Sequence, residues 1–114
     1  MAIKGIGVDI EDISRFRNTP FEQNKAFYQR LFTKKELDYC FSKSNPYQHL
    51  AARFCAKEAF IKASNIDFKG KVPNYQIIQV VMENSKPCIK YKNKKHLLSL
   101  SHDKDKAIGF VIVQ

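Results

Sequence analysis

The stretch Tyr47–Ala63 constrains this chain more than any other, because at 3.6 residues per turn it resolves into three distinct helix faces. Leu50, Phe54 and Ile61 form an apolar stripe. Ala52, Ala56, Ala59 and Ala63 form a smooth stripe against which another element can approach closely. Ala51, Cys55, Glu58 and Lys62 form the third, with an acid and a base one turn apart. A helix with two faces to cover is expected at the centre of the fold.

The segment Ile3–Ile10 alternates with a period of two, the pattern of a strand. Ile6, Val8 and Ile10 share one face, and Gly5, Gly7 and Asp9 share the other. Glycine in a strand marks the close approach of a ligand or of another element's backbone, and a helix packed on that face is the simpler explanation. From Asp12 to Arg17 the pattern turns helical, Asn18-Thr19-Pro20 interrupts it, and a second helical stretch runs from about Glu22 to Leu31. Thr33 with Glu36 forms a capping box that opens a short third helix, whose apolar face is Leu37, Cys40 and Phe41. Ser64–Asn74 reads as a loop. Strands are predicted over Tyr75–Glu83, Cys88–Lys92, Leu97–Ser101 and Ala107–Val113, with turns at Ser85-Lys86-Pro87 and Asn93-Lys94-Lys95. The expected fold class is α+β: an antiparallel sheet with a long central helix and shorter N-terminal helices, in a single domain over residues 1–114.

With 44% hydrophobic and 12% aromatic residues, the chain has the composition of a folded globular protein. Three widely spaced cysteines, Cys40, Cys55 and Cys88, argue against a disulfide framework or zinc site and predict a reducing, cytoplasmic setting. MAIKGIGVDI shows no secretory pattern, and no window has the length and apolarity of a membrane span. The net charge of +9 favours anionic partners: nucleic acid, an anionic membrane, a phosphorylated small molecule or an acidic protein.

Asp9 and Glu58 are the acids that stand out, one at the end of a glycine-bearing strand, the other central in the long helix. Two carboxylates meeting across a strand–helix contact suffice for Mg²⁺, which fills its octahedron with water and substrate phosphate oxygens. Glu11 is a candidate third ligand if the strand continues. Arg53, Lys57 and Lys62 add positive charge to the same helix, where Lys62 either pairs with Glu58 or reaches a phosphate. His102 follows Ser99 and Ser101 at a strand end, where an imidazole can bind phosphate, whereas His49 and His96 read as structural. There is no nucleophile elbow, P-loop or dinucleotide fingerprint, and Cys55 reads as a core residue.

Four segments, in order, resemble those of the holo-(acyl-carrier-protein) synthases, the single-unit bacterial branch of the 4'-phosphopantetheinyl transferases. Gly5-Ile6-Gly7-Val8-Asp9-Ile10 is similar to the family's opening segment, and Arg53-Phe54-Cys55-Ala56-Lys57-Glu58-Ala59-Phe60-Ile61-Lys62-Ala63 to its central helix. Leu31-Phe32-Thr33 with Glu36-Leu37, and Ser99-Leu100-Ser101-His102, match two shorter elements. The resemblance implies the 4'-phosphopantetheinyl transferase fold, a homotrimer with sites between subunits, and Mg²⁺-dependent transfer of 4'-phosphopantetheine from coenzyme A to a serine of apo-acyl carrier protein, a step of fatty acid biosynthesis. By motif position it implies Asp9 and Glu58 as metal ligands, Glu58 and Lys62 as catalytic residues, and Arg53, Lys62 and His102 as coenzyme A contacts. It places Arg15, with Arg17, against the acidic carrier. This chain departs from the family pattern at Ser64-Asn65-Ile66-Asp67, at Ser85, in a shortened Pro87–Ser99 connection, and at Lys106.

Two other readings compete. The charge and Tyr91 among Lys90, Lys92, Lys94 and Lys95 suggest a nucleic-acid-binding domain, although that leaves the glycine-lined acid unexplained. A transferase serving secondary-metabolite carriers is expected to carry two fused copies, and no internal repeat is present.

Overall fold

The computed structural model describes residues 2–114. In chain order the elements are β1 (Gly5–Asp12), α1 (Ile13–Arg17), α2 (Lys25–Leu31), α3 (Lys34–Phe41), α4 (Pro46–Ser64), β2 (Gln79–Glu83), β3 (Lys86–Tyr91), β4 (Lys94–His102) and β5 (Lys106–Val113). Single 3₁₀ turns occupy Phe21–Gln23 and Tyr75–Ile77. The strands form one antiparallel sheet in the order β1-β5-β4-β3-β2, and α4 packs along β1 and β5. The fold is α+β, as expected.

The contact between α4 and the sheet explains the alanine and glycine stripes together. A Cβ on Gly5 would lie 1.8 Å from the Ala63 carbonyl oxygen, and one on Gly7 would lie 2.0 Å from that of Ala59. A Cβ on Gly109, which pairs with Asp9, would lie 2.8 Å from the Ala56 nitrogen. The helix therefore rests on main chain, not on side chains. The glycine face of β1 is the packed one, and Ile6, Val8 and Ile10 are left 63%, 52% and 56% exposed.

The core has two parts that meet at α4. Its first half packs Leu50 and Phe54 against Phe16, Tyr28, Phe32 and Leu37 of the short helices. Its second half packs Ala56, Ala59, Phe60 and Ala63 against Ile78, Val80, Ile89 and Val111 of the sheet side. Pro46 in the first turn and a left-handed Asn65 (φ 54°) bound the helix.

Thr33 and Glu36 make both hydrogen bonds of a capping box. Phe41, expected on the buried face of α3, is 38% exposed and packs, tilted, against Phe21 with ring centres 4.9 Å apart. The strand expected over Tyr75–Glu83 begins only at Gln79. The Gln76 side-chain amide donates to the carbonyls of Gln29 and Phe32 and holds the preceding residues in a turn. The hairpin turns also move. Asn84-Ser85 and Lys92-Asn93, all at positive φ, make the two tight connections, so β3 starts at Lys86 and β4 at Lys94. Pro87 fits within β3 because pairing with β4 begins one residue later, at Cys88. The Pro87–Ser99 connection is thus a plain hairpin.

Candidate active site

β1 continues through Asp12, so Asp9 and Glu11 follow Gly5 and Gly7 on the side facing α4. Close approach of the two backbones brings Lys62 over β1. Its Nζ lies 3.1 Å from Asp9 Oδ1 and donates to the Val8 carbonyl at 3.0 Å. The Glu58–Lys62 pairing open in the sequence is not formed; Glu58 Oε1 instead accepts the hydroxyl of Tyr75. Glu11 Oε1 accepts Arg15 Nη1 at 2.7 Å, and the Arg15 guanidinium lies 5.3 Å from the Phe54 ring.

Electrostatics ties these groups together. Burial raises the Glu11 carboxyl above the ordinary carboxylate range, Arg15 opposes that rise, and the negative charges of Asp9 and Glu58 add to it. The Tyr75 phenol is raised by burial and by its bond to Glu58. Among the described residues no three His, Cys, Asp or Glu side chains form a ready metal cage. Two carboxylates from separate elements, with a lysine beside them, are the donor set of a hard cation that keeps most of its water and takes phosphate oxygens. Such a set fits Mg²⁺ and leaves Glu11 bound to Arg15.

A second, basic cluster lies at the start of α4. Across the sheet Glu11 pairs with Ala107, which pairs with His102. At strand spacing, this row sets His102 about 10 Å from Glu11 on the same side of the sheet. The His102 ring is 6.3 Å from that of His49, which is in turn 6.4 Å from Tyr39. Arg53 lies over Tyr39 at 4.3 Å and donates to the His49 carbonyl at 3.3 Å. Lys43 lies 4.7 Å from the centre of the same Tyr39 ring. Burial, Arg53, His102 and Lys43 all lower the His49 pKa. The reading of His49 as structural overlooked this neighbourhood, which a chain distance of 53 residues conceals. Arg53 belongs to this cluster and not beside Asp9.

Other sequence candidates fall elsewhere. Lys57, expected to add charge near the site, is fully buried and bonded to Glu36 Oε1 at 2.7 Å and to the carbonyls of Leu31 and Tyr75. Arg17 donates to the Lys104 carbonyl at 3.2 Å and is exposed, as is Arg15. Cys55 is a core residue whose thiol donates to the Ala107 carbonyl at 3.2 Å. His96 is buried against Phe60. Tyr91 packs its ring on Phe60 at 5.1 Å. A groove of about 820 Å³ between α2, α3 and the Phe21–Gln23 turn is lined by none of Asp9, Glu58, Lys62 or His102.

A strand acid and a helix acid, with a lysine beside them, thus lie where α4 rests on β1. Residues 5–111 match the family model described as the 4'-phosphopantetheinyl transferase superfamily. The chain belongs to this superfamily and is a transferase. It is 40% identical to the holo-[acyl-carrier-protein] synthase of Geotalea daltonii, over 98% of both chains. The structure is similar to that of the holo-[acyl-carrier-protein] synthase from Neisseria meningitidis, with 30% identity, TM-score 0.82 and 99% of each chain covered. It is also similar to the holo-(acyl-carrier-protein) synthase from Bacillus anthracis in complex with CoA (3',5'-ADP), with 30% identity, TM-score 0.76, and 96% of this chain and 95% of that one covered.

Proposed function

We propose that this chain is a holo-[acyl-carrier-protein] synthase, acting as one domain and transferring 4'-phosphopantetheine from coenzyme A to a serine of apo-acyl carrier protein in fatty acid biosynthesis. The observation that carries the reading is the placement of Asp9, Glu58 and Lys62 together where β1 meets α4. Relatives with this name, one of them a coenzyme A complex, support it along almost the whole chain.

Asp9 and Glu58 would hold Mg²⁺, which when bound supplies positive charge to the coenzyme A diphosphate. Lys62, now resting on Asp9, is exposed enough to turn to a phosphate and neutralise charge developing on the transferred group. The carrier serine oxygen attacks the phosphorus that bears pantetheine. The bond from that phosphorus to the leaving phosphate breaks, and adenosine 3',5'-bisphosphate departs. Glu58, directly or through a water, takes the serine proton. No protein nucleophile is needed, in keeping with the buried state of Cys55. The exposed His102, with His49 beside it, suits the bisphosphate end of the nucleotide, and Arg53, 4% exposed and bonded to the His49 carbonyl and the Met82 sulfur, backs the pair from the core. Arg15 and Arg17, both exposed, are suited to an acidic carrier.

The exposed apolar face of the sheet supports self-association into a homotrimer. Ile6, Val8 and Ile10 of β1 continue through Ile108 and Phe110 of β5 to Leu97 of β4, all at least 38% exposed. A patch of this kind on a chain of net charge +9 is a contact surface. Tyr91, the aromatic of the nucleic-acid reading, is packed on Phe60 and is poorly placed to stack on a base.

The test is the intact mass of purified apo-acyl carrier protein after incubation with this protein, coenzyme A and Mg²⁺. We expect a gain of one phosphopantetheine unit, abolished by EDTA and by Asp9→Ala or Glu58→Ala. Absence of any gain, with the protein folded and several carriers tried, would overturn the reading.

A further inference from the structure

We infer that Tyr75 is a positioning residue for Glu58: its hydroxyl fixes the carboxylate so that one oxygen remains free to face a divalent cation. This rests on the reading of Glu58 as a metal ligand.

Among the described residues, the Tyr75 hydroxyl is the sole protein donor to the Glu58 carboxylate. Even a half-buried glutamate samples several rotamers, and a bond to one oxygen removes that freedom before any ligand arrives. The donor itself is held from several directions. Its backbone carbonyl accepts the buried Lys57 Nζ at 2.9 Å. The Asn74 side chain accepts the Gln76 N–H at 3.2 Å, and the Gln76 amide ties the same turn to the end of α2. Its ring packs on Phe54 at 5.5 Å and is 9% exposed. Lys57 and Glu58 are chain neighbours on α4, so one helix anchors the Tyr75 backbone and presents the acceptor for its hydroxyl. Packing alone would be met by phenylalanine, so the hydroxyl is the part with a task at Glu58. An outer hydrogen bond of this kind typically changes metal affinity by about 10-fold or more.

Mn²⁺ in place of Mg²⁺ allows a readout that does not depend on turnover. Mn²⁺ binding would be measured by electron paramagnetic resonance with coenzyme A present, for the wild type, Tyr75→Phe, Glu58→Gln and Tyr28→Phe. Tyr28 is the control, because its hydroxyl is tied to the Thr19 carbonyl away from the acids. We expect Tyr75→Phe to keep the wild-type melting temperature and bind Mn²⁺ about 10-fold more weakly, with Tyr28→Phe unchanged and Glu58→Gln binding least. Equal affinity of Tyr75→Phe and wild type, within twofold, would sink the inference while leaving Glu58 as a ligand. Failure of the wild type to bind, or binding by Glu58→Gln as tight as wild type, would overturn the metal reading and this inference with it.

Discussion

Glu36 shows how one side chain does several structural jobs. Its Oε1 closes the capping box on Thr33 and accepts Lys57, and its Oε2 accepts the Val80 N–H at 2.7 Å. Burial lowers the Lys57 pKa while Glu36 pushes it back up, so the ammonium depends on its partner to stay charged. Removing one member of such a pair leaves the other as an uncompensated buried charge. Lys57→Met should destabilise the protein by about 3–5 kcal/mol in urea denaturation, and a loss below about 1 kcal/mol would show that the pair is dispensable. The capping box was legible from Thr33 and Glu36 alone, but the partnership with Lys57, 21 residues away, was not. Sequence shows a lysine's charge and never whether the chain folds over it.

The histidines give a dependence on pH. Burial is the first cause that lowers His49 and His96, with Arg53, His102 and Lys43 adding to it at His49 and Lys94 at His96. Their unfolded forms titrate near the ordinary value of 6.5, and their folded forms below it. Between the two the unfolded chain binds more protons, so stability falls as pH drops below about 6.5. Melting temperatures from pH 7 to 5.5 should therefore decline, and His96→Leu should flatten that decline. A wild-type profile level across this range would contradict the assignment.

At the level of elements, the seat of α4 on β1 and β5 decides the architecture. Gly7→Ala would drive a methyl into the Ala59 carbonyl at 2.0 Å, and neither backbone has room to give. We expect a destabilisation of at least about 3 kcal/mol, or failure to fold, read by thermal melting and circular dichroism. Ala59→Gly, by contrast, should cost only about 2 kcal/mol, the helix penalty plus the loss of one buried methyl. The three faces of α4, the antiparallel strands and the glycine-lined contact were legible because periodicity and small-residue stripes are local patterns. The Tyr75–Ile77 turn was not. Its residues alternate well enough for a strand, and what bends them is a set of hydrogen bonds from Gln76 and Lys57 to distant segments. The hairpin turns slipped toward their N-terminal sides because Asn84-Ser85 and Lys92-Asn93 carry the left-handed conformations. The placement of Asp9 and Glu58 on a strand and a helix was legible, whereas the contacts of Tyr75 with Glu58 and of His49 with His102 arise only through tertiary packing.

For the molecule as a whole, the sheet has one face under α4 and another left largely open. Phe110 and Val8 pair across β5 and β1 in the middle of the open face. On the homotrimer proposed above, Phe110→Lys should leave monomers in place of an assembly of three times the chain mass in analytical ultracentrifugation and lower transferase activity, with melting still cooperative. A monomeric wild type would remove the case for sites shared between subunits. The backbone contact beneath α4 also bears on how such a protein changes over time. The offset between Asp9 and Glu58 is set by main-chain atoms of β1 and α4 touching through glycine and alanine, not by the sizes of interchangeable side chains. A substitution elsewhere in the core therefore changes the spacing of the two acids only if it shifts the main chain of β1 or α4, whereas one at Phe54 also disturbs the Tyr75 ring that bonds Glu58.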